Sequence, residues 1–128
     1  MPEVSSQEFI NQLNEVQELM LKEDYKKAIL ILDKLKTLEK ENSYNYNLTH
    51  KLYQLDSNVR SLYNQQAILK YIYSLSTSKK EISFKEIMDL LKKEESIEID
   101  IGILKREIEI LVLRSLLTCK VGENKIIL

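Results

Sequence analysis

The chain has 128 residues, 44% of them hydrophobic, and its 19 Lys and Arg nearly cancel 20 Asp and Glu, leaving a net charge of -1. That is enough apolar material for one compact domain or two small helical pieces, and no cationic excess of the kind a polyanion binder shows. Cys119 is the one cysteine, which excludes an intramolecular disulfide and a cysteine-built metal site, and Gly102, Gly122 and Pro2 are the only helix breakers, which favours long helices and a mainly α fold.

The amino-terminal MPEVSSQEF lacks a basic stretch leading into an apolar run, so no secretory signal is expected. No apolar run reaches the roughly 20 residues that span a bilayer. A cytoplasmic or nuclear location with no membrane partner is the expectation, and a reducing compartment suits a lone cysteine.

The first helix should start near Ser5, because Ser5 and Glu8 have capping-box spacing. Phe9, Leu13, Val16 and Met20 follow on one stripe, interrupted by Lys22, Glu23 and Asp24. Asp24 can cap a second helix whose apolar face is Tyr25, Ala28, Ile29, Leu32 and Leu35. Small Ala28 beside Tyr25 suits close packing, as in tetratricopeptide-like helical pairs, but no second copy follows. The polar stretch 41–47 reads as a loop and hinge. Leu48, Leu52, Leu55, Val59 and Leu62 then alternate spacings of four and three. That seam is expected to be an ordinary buried face, with a homodimer through 48–62 as its other use.

At Gln65 the pattern changes, which divides the chain into a helical segment over 1–64 and a second domain over 65–128. Ile68, Ile72 and Leu75 mark a helix there. Glu81 to Phe84 reads as a short β-like stretch, and Ser83 with Glu86 repeats the capping spacing for a helix buried through Phe84, Ile87, Met88 and Leu91. Asp100 can cap the next helix, where Leu104, Ile108, Leu111 and Val112 face inward. Two short apolar stretches around Gly122, Glu123 and Asn124 form a hairpin. Helix, short strand, helix, helix and two-stranded wing is the order of a winged helix.

These residues carry a resemblance. EISFKEIMDLL at 81–91, EIEILVLRSLL at 107–117 and CKVGENKIIL at 119–128 resemble the end of a PCI domain, the module shared by the proteasome lid, the signalosome and translation initiation factor three. The preceding helical pair resembles the helical repeats of that family. The resemblance covers about the last half of the chain. It implies a non-catalytic scaffold or assembly subunit whose partners are other protein subunits. It also implies that the wing strand formed by Lys125, Ile126, Ile127 and Leu128 is an edge to which a neighbouring strand adds.

Winged helices also bind DNA through the third helix and the wing. Here Lys105, Arg106, Arg114 and Lys120 would be the nucleic-acid contacts, with Glu107 and Glu109 placed outward beside them. Residues 65–128 carry 11 basic and 10 acidic side chains, so nucleic acid is the secondary expectation. His50 has no second ligand for a metal, and Cys119 has no partner base. Glu94 and Glu95 sit in an alternating charge run that reads as a solvated loop, and no phosphate-binding loop or nucleophile elbow is present. No enzyme, cofactor or metal site is expected. Six of the seven tyrosines fall between residues 44 and 73, and Tyr44, Tyr46 and Tyr53 lie off the seam, which makes them candidate partner contacts. Ile110 and Leu113, apolar and outward on the last helix, join them.

Overall fold

Four side chains set where helices begin in the computed structural model, which describes residues 5–128; residues 1–4, part of the stretch read for a secretory signal, lie outside it. Helix α1 (Ser6–Leu21) follows Ser5, whose Oγ accepts from the Glu8 N–H at 3.2 Å. Helix α2 (Tyr25–Glu41) follows Asp24, which accepts from the Lys27 N–H at 3.4 Å. Helix α4 (Phe84–Glu95) is capped by Ser83 through Glu86 N–H at 3.1 Å, and α5 (Ile101–Leu113) by Asp100 through Ile103 N–H at 2.8 Å. Each cap satisfies an N–H that has no carbonyl within its own helix.

Helix α3 (Tyr46–Ser76) is one uninterrupted helix of 31 residues. The sequence pattern suggested two helices meeting near Gln65. The apolar periodicity does change there, but no glycine or proline intervenes, so the hydrogen-bond ladder continues. The chain divides into two compact units, one ending at Tyr63 and one spanning Asn64–Leu128, and α3 supplies residues to both.

In the unit ending at Tyr63, Phe9, Leu13 and Val16 of α1 meet Ala28, Leu32 and Leu35 of α2, and Leu52, Leu55 and Val59 of α3 complete the core. Glu23 takes the left-handed conformation (φ 59°) in the tight α1–α2 connection. Asp56 ties α3 to α2: it accepts from Lys36 Nζ at 3.3 Å and from Arg60 Nε at 3.0 Å, and the same Arg60 reaches Asp33. The Leu48 to Leu62 stripe is therefore spent inside the chain, with Leu52 and Val59 fully buried. Leu48 and Leu62 at the ends of the stripe are half-buried, so a homodimer through 48–62 would find only those two of its five side chains open.

The second unit is a winged helix. Strands β1 (Glu81–Ser83), β2 (Lys120–Val121) and β3 (Lys125–Ile127) form an antiparallel sheet in the order β1-β3-β2. Ile82 lies opposite Ile126, and Val121 opposite Ile126 on the other side. The pairing extends past the strands, with Leu128 N–H donating to the Lys80 carbonyl at 2.8 Å and Phe84 N–H to the Asn124 carbonyl at 2.9 Å. Beneath the sheet, Ile68 and Ile72 of α3, Phe84, Ile87 and Leu91 of α4, and Leu104, Ile108 and Leu111 of α5 pack into one core with Ile82 and Ile126. Truncating a ring such as Phe84 in a core of this kind costs about 3–5 kcal/mol. Among the described residues, no helix is long and apolar enough to cross a membrane.

The sheet order corrects the expected recruitment edge. β3 is the central strand, hydrogen-bonded on both sides, so it has no free edge to offer. Ile126 is fully buried and Lys125 pairs with Glu81 at 3.0 Å, which leaves Ile127 as the half-open residue of that strand. The open edges belong to β1 and β2, three and two residues long, too short to template much strand addition.

Candidate functional site

The outward face of α5 is the most unusual surface of the winged helix. Leu104, Glu107, Ile108 and Leu111 point inward. On the other side Ile103, Arg106, Ile110 and Leu113 recur at intervals of three, four and three, a stripe along nearly three turns. Leu113 is 83% exposed, Ile103 is 37% exposed and Ile110 is half-buried. One exposed leucine is ordinary, but aliphatic residues aligned on one helix face form a surface that gains by being covered. Arg106 and Glu109 share this face, so it carries no net charge.

The position that reads DNA in other winged helices is thus aliphatic and neutral here. Two of its four cations are also engaged. Arg114 Nη1 donates to Gln65 Oε1 at 2.7 Å, and Arg106 Nε lies 4.0 Å from Glu107 Oε1. Lys105 is half-buried, and Lys120 stands apart on β2. Glu107, expected to point outward, is 2% exposed and accepts from Gln65 Nε2 at 3.3 Å. Glu95 departs from the solvated-loop expectation as well: its side chain is 11% exposed and accepts from Tyr71 Oη at 2.9 Å.

The nominated tyrosines separate into three cases. Tyr44 packs its ring 4.5 Å from that of Phe9 and is half-buried at the margin of the amino-terminal core. Tyr53 donates its hydroxyl to Glu39 at 3.0 Å. That bond and the nearby carboxylates raise its pKa, because they favour the protonated phenol. Tyr46 is 79% exposed, with its ring stacked 6.1 Å from that of His50, and remains available as a contact.

Among the described residues, no group of three or more His, Cys, Asp or Glu is placed to hold a metal ion. Cys119 is half-buried against the core, and burial raises its thiol pKa, the opposite of what an activated nucleophile needs. A depression of about 640 Å³ lies between the end of α3 and the α5–β2 connection. A second, of about 490 Å³, lies along α4, where Lys85 and Lys93 alternate with Glu86 and Asp89.

Ile103 escaped the sequence reading, although its spacing from Ile110 and Leu113 was the available signal. Glu107 and the depression beside Leu116 had none, since both depend on segments more than forty residues apart in sequence. Comparison with protein-family models, with curated proteins and with solved structures finds no match.

Proposed function

We propose that this chain is a non-catalytic interaction module: a scaffold or assembly subunit of PCI-like kind that docks another protein subunit on the exposed face of α5. The observation that carries this reading is the stripe of Ile103, Ile110 and Leu113, interrupted only by Arg106, on the helix that a nucleic-acid-binding winged helix would line with cations. Covering a leucine as exposed as Leu113 contributes about 1.5–3 kcal/mol, so a few such side chains account for a hot spot. Tyr46 is a secondary contact, and the docking site moves from the wing strand to α5. The reducing cytoplasm or nucleus is the proposed setting.

The test is capture of the tagged chain from its native extract at mild salt, with and without nuclease. Stoichiometric protein partners that resist nuclease support a scaffold. Partners that vanish with nuclease, or recovery of nucleic acid, overturn it in favour of a nucleic-acid-binding winged helix.

A further inference from the structure

The exposed face of α5 has an internal symmetry. Gly102, Arg106, Glu109 and Leu113 recur at intervals of four, three and four, and all are exposed. They lie opposite the inward row of Leu104, Ile108 and Leu111. Their spacing is symmetric about the midpoint of residues 107 and 108, and across that midpoint their chemistry is complementary. A position without a side chain faces a large aliphatic one, and a cation faces an anion. A surface of this kind fits a second copy of itself turned about a two-fold axis.

Two α5 helices packed antiparallel about an axis at that midpoint place Leu113 of each over Gly102 of the other, where no side chain holds the helices apart. Arg106 of each comes level with the partner's Glu109, so opposite charges meet twice. Both are open to such a contact. Glu109 makes no ion pair among the described residues, and Arg106, its side chain 68% exposed, has only Glu107 at 4.0 Å. Ile103 and Ile110 flank the row on one side, and the two-fold keeps that side common to both helices. Ile103 then falls within one turn of the partner's Ile110, which covers both.

Taking the α5 face as the docking surface, we propose that its occupant is a second copy of this chain, bound antiparallel as a two-fold dimer with Leu113 on Gly102 and Arg106 on Glu109. One helix pair is a small interface, so the expected dissociation constant is on the order of tens of micromolar. The test is sedimentation equilibrium of the purified full chain from about 5 to 500 µM, a range that brackets that constant. A monomer–dimer equilibrium is expected. Arg106→Glu and Glu109→Arg each gather like charges around the two-fold, and each should weaken the dimer at least about tenfold. Mixed one to one, the two variants set Glu opposite Arg at both contacts and should pair at least as tightly as the unaltered chain. The double exchange, Arg106→Glu with Glu109→Arg, should restore self-association. Glu109→Arg remains decisive if Arg106→Glu disturbs Glu107, and Gly102, whose added Cβ would come 3.3 Å from Asp100 Oδ1, is left unaltered. A monomer at every concentration, undiminished dimers in Glu109→Arg, or a mixture no tighter than its two components would overturn the inference. The docking reading fails separately: a monomeric chain whose extract partners are lost in Leu113→Asp still docks a different protein on α5.

Discussion

Gln65 Nε2 donates to Glu107 Oε2 at 3.3 Å, joining α3 to α5 with both side chains buried. The Gln65 amide oxygen in turn accepts from Arg114, so one glutamine links a buried carboxylate to a surface guanidinium. Removing one donor from a buried carboxylate costs far more than an exposed hydrogen bond contributes. Gln65→Ala is therefore expected to destabilise the chain by about 1–3 kcal/mol in urea unfolding. Replacing both partners, Gln65→Leu with Glu107→Leu, should recover much of the loss, giving a coupling of at least about 0.5 kcal/mol. Additive single effects would show that the pair does not act as a unit.

The Asp100 carboxylate caps α5 at 2.8 Å, a short bond for a helix cap. Asp100→Ala is expected to cost about 1 kcal/mol, with amide exchange accelerated first in the opening turn of α5. Unchanged exchange at Ile103 would contradict the cap.

Tyr53 ties its ionisation to folding. The hydroxyl donates to Glu39, and the raised pKa means the folded state holds the phenolic proton more tightly than the unfolded chain. The stabilisation is fully present below the ordinary tyrosine value of 10.0 and is lost as pH rises through the raised one. A difference titration of phenolate absorbance, the chain as given minus Tyr53→Phe, should show a midpoint above 10.0. A midpoint at or below that value contradicts the Tyr53–Glu39 bond.

Local features were legible in the sequence. Ser5, Asp24, Ser83 and Asp100 all cap helices as their spacing indicates, because a cap is decided within four residues. The winged-helix order was legible too, since each element carries its own periodicity. What depends on distant segments was not. β3 lies between β1 and β2 because the chain returns past α4 and α5, and strand order is not written in a three-residue strand. Glu107 reads as an outward charge until Gln65, 42 residues earlier, is placed against it. The unbroken α3 hid behind a change of apolar phase that resembles a helix boundary. The outward placement of Leu113 and Ile110 on α5 was legible from the helical wheel, whereas the contact of Tyr44 with Phe9 joins segments too far apart in sequence to be read there.

Leu111 and Leu113 sit two residues apart on α5, one fully buried and one 83% exposed, so they separate folding from the proposed docking. Leu111→Asp places an unpaired carboxylate in the core at a cost of several kcal/mol, so circular dichroism should report loss of the carboxy-terminal unit. Leu113→Asp should fold as the unaltered chain does. The most direct measurement of the central claim is capture from native extract by the Leu113→Asp chain beside the unaltered one, after their melting curves are shown to coincide. Loss of the nuclease-resistant partners in Leu113→Asp is the result expected if the α5 face is the docking surface. Undiminished capture by the folded variant would contradict it.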